Sequence, residues 1–204
     1  MLKFLKTPSA LRGAILVAFG GIFWGFSGTC AQLMTSSMGV EVRWLTCVRL
    51  LYTAALFAII NLAFNRKQTI EIVRSPKRFG MLVIFAVFGV LMCQLCYFSA
   101  IYHSNASTAT VFERMGLVLI MIITCIMARK LPAPAQLVGV FLALAGTFCI
   151  ATKGNPSVLA IKPEAVFWGL GAALSLVGYT MLPEGLLRKW SSPVVTGWAM
   201  LLAG

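Results

Sequence analysis

Long uncharged runs alternate with short basic clusters along this chain. Gly13–Val40, Leu50–Asn65, Phe79–Phe112, Met115–Ala128, Leu131–Thr152, Ala165–Pro183 and Trp190–Gly204 contain no Asp, Glu, Lys or Arg. A helix rising about 1.5 Å per residue crosses a hydrocarbon layer of ~30 Å in about 20 mostly apolar residues. The runs therefore predict membrane-spanning helices near 14–35, 43–64, 79–101, 106–128, 134–152 and 165–184, and the start of a seventh after Pro193. The run from Phe79 is read as two helices, because His103-Ser104-Asn105 is a polar turn that a lipid-facing helix does not tolerate. Ser104 or Asn105 can also cap the helix that follows. Ser75-Pro76, Pro132-Ala133-Pro134, Gly154-Asn155-Pro156 and Ser192-Pro193 mark the other breaks.

Composition agrees with that map. Of 204 residues, 60% are apolar and 11% charged, where soluble domains carry about 25% charged residues. Mean hydropathy is +0.92. Such a chain cannot cover a water-facing surface, which excludes a soluble enzyme, a disordered tail and a secreted disulfide module. The expected fold is all-α, a polytopic transmembrane bundle of six full spans plus a truncated seventh.

A net charge of +12 would suggest nucleic acid in a soluble protein. Here the basic residues lie between spans, so they report topology, and the expected partner is the lipid bilayer and no nucleic acid. With the amino terminus inside, twelve Lys and Arg face the cytoplasm: Lys3, Lys6, Arg12, Arg66, Lys67, Arg74, Lys77, Arg78, Arg129, Lys130, Arg188 and Lys189. Only Arg43, Lys153 and Lys162 face outward, which sets the amino terminus on the cytoplasmic side. Trp44 and Trp168 then fall near the outer boundary and Trp190 near the inner one, where aromatic anchors belong. The first run is too long for the apolar part of a signal peptide and reads as a retained helix.

Six cysteines all sit inside apolar runs. Cys93 and Cys96 have redox spacing but no soluble strand–helix context, and no ligand cluster accompanies them, so neither a metal nor a cofactor is expected. Small residues recur at close-packing spacing: Gly21, Gly25 and Gly28 in the first helix, Gly139, Ala143 and Gly146 in the fifth, and Gly169, Gly171, Ser175 and Gly178 in the sixth.

Charged residues within a bilayer are costly and by default mark function. Arg49, Glu113 and Arg114 are the three here. Arg49 and Glu113 lie about 9–10 Å below the outer boundary by helix rise, and Gln94 lies at the same level. Three polar side chains on three helices at one depth imply a shared cavity. Arg49 and Glu113 either pair across it and handle a polar solute, or form a buried ion pair that fixes helix register; both readings stand at this point. Glu113 is also the candidate proton carrier, since burial penalises a charged carboxylate. Trp24 and Tyr97 are candidate aromatic walls, with plain packing as the alternative. Arg114 points about 100° away from Glu113 on the helix and is expected to be structural or to snorkel outward. His103, at the outer turn, reads as interfacial.

Five spans carry the chain to about residue 152, so the sixth starts on the outer side. An odd number of spans inverts the next unit, as in many secondary transporters. Offset by 151 residues, Ala14, Gly20 and Thr29 meet Ala165, Gly171 and Thr180. The implied division is a first five-helix repeat over 1–152, an outer linker over 153–163, and the start of a second, inverted repeat over 164–204.

Several stretches in order carry a family resemblance: Phe23-Trp24-Gly25, Val48-Arg49-Leu50-Leu51, the run Gln94-Leu95-Cys96-Tyr97-Phe98-Ser99-Ala100-Ile101, Asn105-Ala106-Ser107, and Gly139 through Thr147. Together they resemble the EamA type of the drug/metabolite transporter superfamily, whose members typically have ten helices in two inverted five-helix repeats. The resemblance implies a secondary transporter in a bacterial-type inner membrane, exporting a small organic metabolite such as an amino acid by alternating access. Two departures stand out. The fourth helix carries Glu113-Arg114 where the family is usually neutral, and the chain ends within the seventh helix. A second chain or a missing carboxyl-terminal half would complete the bundle, and the alternative function is a non-transporting membrane protein, inert without helices eight to ten. With one His at a turn and no Asp in the chain, a membrane-embedded enzyme is not expected.

Overall fold

The computed structural model describes residues 8–152, 155 and 162–204, and every regular element among them is helical. In order these are α1 Pro8–Ser36, α2 Val42–Phe64, α3 Arg66–Arg74, α4 Pro76–Ile84, a π-helical segment Phe85–Leu91, α5 Met92–His103, α6 Ala106–Ala128, α7 Pro134–Thr152, α8 Pro163–Met181, α9 Glu184–Leu187 and α10 Ser192–Ala203. Five stretches are long and apolar enough to cross a membrane: Gly13–Ser36, Val42–Phe64, the continuous Pro76–His103, Ala106–Ala128 and Pro163–Leu187. The apolar helices Pro134–Cys149 and Ser192–Ala203 are shorter. The expected outer linker, 153–163, lies outside the described residues apart from 155, 162 and 163.

The turn signals act as the sequence suggested. Asn105 caps α6, its Oδ1 accepting from Thr108 N at 2.7 Å. The next amide, Ala106 N, donates to Gln32 Oε1 at 2.8 Å, which ties the end of α1 to the start of α6. Proline occupies the first turn of α4, α8 and α10, where its missing N–H costs nothing. Arg129 closes α6 in the left-handed conformation at φ 50°.

The basic stretch after α2 is more than a loop. It folds as α3, which buries Ile72 and lies across the end of α10. Ser191 N donates to Gln68 Oε1 at 2.9 Å, Trp198 Nε1 donates to Thr69 O at 3.1 Å, and Glu71 pairs with Lys189. Trp190 departs from the expected interfacial anchor. It is 2% exposed, packed in a core with Ile72, Leu82, Leu186 and Val194, and Arg78 and Lys189 lie over its ring at 5.2 and 4.8 Å. The reason is α3 and α4, which fold the basic end of the bundle over it. Trp44 is 56% exposed, consistent with an interfacial position.

Two cores result. One joins α2, α4, the π segment, α9 and α10 through Leu50, Leu82, Phe85, Val90, Leu186 and Val195. The other joins α1, α2, α5, α6 and α8 through Ala31, Leu45, Tyr97, Phe98, Ala109 and Ala172. Helix α8 wedges against α5 and α6 along its small residues. A Cβ on Gly116 would stand 2.6 Å from Ala173 O, and one on Gly169 the same distance from Phe112 Cβ. Such backbone proximity is how helices associate when lipid is as apolar as the helix surface. The small faces of α1 and α7 behave differently: a Cβ on Gly21, Gly25, Gly139 or Gly146 would meet nothing within 4 Å among the described residues.

Candidate functional site

A cavity of about 840 Å³ lies where the two cores meet, with Val90 and Met200 of one and Tyr97 of the other in its wall. All five residues singled out by depth and type line it: Trp24 from α1, Arg49 from α2, Gln94 and Tyr97 from α5, and Glu113 from α6. Local structure explains the convergence. Val90, Cys93, Gln94 and Tyr97 recur at three- and four-residue steps and so share one helix face, and all four line the cavity. The π segment that precedes them has a wider turn, and such insertions are frequent beside functional sites. Gly89 and Gly178 let this segment approach α8, a Cβ on Gly89 falling 3.2 Å from Tyr179 Cα.

The aromatic wall is built from contacts. Trp24 and Tyr97 stack with ring centroids 5.4 Å apart and planes at 24°. The Tyr97 hydroxyl shares a hydrogen bond of 3.1 Å with Thr110 Oγ1, and Gly28 leaves room for it, since a Cβ there would lie 3.0 Å from that oxygen. A face of α1 is thus shaped to receive the tyrosine.

The charges are arranged otherwise than expected. Arg49 and Glu113 do not pair: among the described residues the ion pairs are Arg43–Glu41 and Lys189–Glu71, and none of those four residues lines the cavity. Arg49 instead lies 5.0 Å over the Phe98 ring. Arg114 also lines the cavity, and its guanidinium lies 4.8 Å over Trp24. Of the two expectations for it, structural or snorkelling outward, the second does not hold, because α1 offers its guanidinium an aromatic face. Glu113 is 5% exposed; its Oε2 has no hydrogen-bond partner, and Oε1 has only Cys93 Sγ at 4.0 Å. A buried carboxyl with one oxygen unpartnered is costly unless something else comes to it.

Three lining residues with polar side chains escaped sequence reasoning, Cys93, Tyr179 and Arg114. Cys93 is one residue from Gln94, and Arg114 follows Glu113, so proximity in sequence was the available signal. A second cavity, of about 980 Å³, opens at the other end of α5 between Ser99, His103, Glu41, Arg43, Thr35 and Trp168. His103 and Trp168, expected at the boundary, thus face a polar recess. Cys93 and Cys96 are both free thiols, and no group of three His, Cys, Asp or Glu able to hold a metal forms among the described residues.

Comparison with known proteins places this arrangement. Residues 11–152 match the EamA-like transporter family, the stretch that contains every helix supplying Trp24, Arg49, Gln94, Tyr97, Glu113 and Arg114. The chain belongs to the EamA-like transporter family. It is 32% identical over 196 residues to a Salmonella typhimurium protein named as an uncharacterized inner membrane transporter, YicL. That match covers 96% of this chain and 65% of the relative, so the chain spans just under two thirds of the relative's length. No solved structure matches. Family membership and the five long apolar helices make it an integral, multi-pass membrane protein.

Proposed function

We propose that the chain forms the solute-binding part of a secondary carrier in a bacterial-type inner membrane, exporting a small organic metabolite such as an amino acid by alternating access. One observation carries the reading: aromatic, amide, carboxyl and guanidinium groups from α1, α2, α5 and α6 line a single cavity between two mainly apolar cores. Lipid-exposed structure gives no reason to gather them there, whereas a polar solute does. Glu113 is the group to carry a proton, because its Oε2 is free to do so.

The reading includes an inverted repeat, with α8 opening the second unit and α7 completing the first. Its support is the packing of α2 against α10, where a Cβ on Gly197 would lie 2.8 Å from Phe57 Cβ. These are the second helices of their respective units, and a two-fold axis relating the units would bring such a pair face to face.

A second reading, a bundle inert until further helices join it, draws on the free surface of α1. Leu16, Val17, Ile22 and Phe23 all stand exposed there. Efflux of a metabolite panel from vesicles separates the two. A carrier moves at least one solute, and Glu113→Gln or Arg49→Gln abolishes that flux. Unchanged flux in both variants removes the cavity from the transport path, and no flux with any solute despite correct insertion supports the inert bundle.

A further inference from the structure

The charges in the central cavity do not balance. Arg49 and Arg114 supply two permanent cations. Glu113 is the only carboxyl in the wall, and neither arginine pairs with a carboxylate among the described residues. Both guanidiniums lie over aromatic rings, Arg49 on Phe98 and Arg114 on Trp24, which steadies a cation but does not neutralise it. With Glu113 ionised the wall carries one net positive charge, and with Glu113 neutral it carries two.

Two guanidiniums and one carboxyl in a largely apolar wall select ligands that complete the charge. Guanidinium groups also present paired N–H donors that match the two oxygens of a carboxylate. The Trp24–Tyr97 stack, with Arg114 over its tryptophan, forms one side of the cavity, and Val90, Leu176 and Met200 give the rest of a solute an apolar wall. We propose that this cavity takes a solute of net charge −1, whose carboxylate seats on Arg49 or Arg114 and whose apolar body lies against Val90, Leu176 and Met200. A simple monocarboxylate satisfies the balance. So does an amino acid with a second acid group, whose ammonium would face Glu113 Oε2. A cationic or neutral amine does not. This inference rests on the carrier reading above and narrows its substrate class.

The test reads the field in the cavity without needing the natural solute. The full chain, with its native cysteines replaced by serine and Gln94→Cys added, is reconstituted in liposomes. It is treated separately with an anionic and a cationic methanethiosulfonate reagent, methanethiosulfonate ethylsulfonate and its trimethylammonium counterpart. Each rate is divided by that of the same reagent with 2-mercaptoethanol. A unit charge nearby in a partly wetted site enriches one ion and depletes its opposite, which together change the anion-to-cation ratio by about tenfold. The normalised anion-to-cation ratio is therefore expected at about ten or more. Arg49→Gln or Arg114→Gln should lower it by about tenfold, and Glu113→Gln should raise it by a similar factor. A ratio of one or below, with both reagents still reacting, overturns the anion inference and leaves the carrier reading in place. No reaction with either reagent overturns both. If the cysteine-replaced chain does not insert, the same ratio is read by mass spectrometry at Gly20→Cys in the chain with its native cysteines kept, because Gly20 lines the same cavity with open space beside it, and the same criteria apply.

Discussion

Gly116 offers a sharp test of how α6 and α8 hold the cavity wall. It lies one turn beyond Glu113, and a Cβ there would fall 2.6 Å from the carbonyl oxygen of Ala173 and 3.1 Å from Leu176 Cδ2. Backbone cannot swing aside as a side chain can. Ordinary contact begins near 3.4 Å, so Gly116→Ala must part the two helices by about 0.8 Å, and overpacking of that kind costs ~1–3 kcal/mol. In a chain of this size that corresponds to a fall in melting temperature of roughly 2–10 °C. The assay is thermal unfolding of the purified protein in detergent micelles, followed with a maleimide dye that lights up on reaching buried Cys96. That thiol lies against α8, 3.1 Å from where a Cβ on Gly171 would stand. Gly139→Ala is the control, because its Cβ would meet nothing within 4 Å and alanine is the better helix former. Gly116→Ala should melt early and Gly139→Ala at or above the parent temperature. Equal melting of the two variants would refute the close approach of α6 and α8.

Three further outcomes follow from single side chains. Glu113→Leu should raise stability by about 2 kcal/mol in thermal unfolding, because it removes a buried carboxyl whose Oε2 has no partner and whose Oε1 has only the Cys93 thiol, and on the carrier reading it also stops flux; a loss of stability would show that the carboxyl is held by its surroundings. Asn105→Ala should cost ~1 kcal/mol by removing the cap that accepts from Thr108 N, and a change below about 0.3 kcal/mol would contradict the capping role. Arg129→Gly should raise the melting temperature, since the left-handed conformation at φ 50° costs other residues about 1–2 kcal/mol; an unchanged or lower value would show no strain at that cap.

Much of this architecture was legible because lipid forbids charge. Runs without Asp, Glu, Lys or Arg located the five long apolar stretches to within a few residues, whereas the expected span at 134–152 is among the shorter apolar helices, and His103-Ser104-Asn105 divided α5 from α6 as read. Helix rise alone set Arg49, Gln94 and Glu113 at one depth, and the cavity gathers all three. What escaped has physical causes. Helix α3 is short, amphipathic and basic, so a map drawn from charge shows it as a loop. Phe85–Leu91 is apolar whether wound as α or π, and composition cannot tell the two apart. The 100° step between Glu113 and Arg114 describes Cβ directions, and a flexible arginine is not bound by it. Trp190 followed its neighbours Arg188 and Lys189 to the membrane boundary on paper. The packing of α3 and α4 over that end, invisible in local sequence, buried it.

Whether the hollow between the helices is a passage is decided most directly from its two sides. Gly20 lines the cavity on α1 with open space beside it, so Gly20→Cys adds a thiol without disturbing the packing. A membrane-impermeant thiol reagent applied first outside and then inside sealed vesicles reads its exposure. A carrier that alternates is labelled from each face in turn, and a solute that binds the cavity slows both reactions. Failure of the thiol to react from either face, in a chain shown to be inserted, would contradict a water-filled path through the bundle.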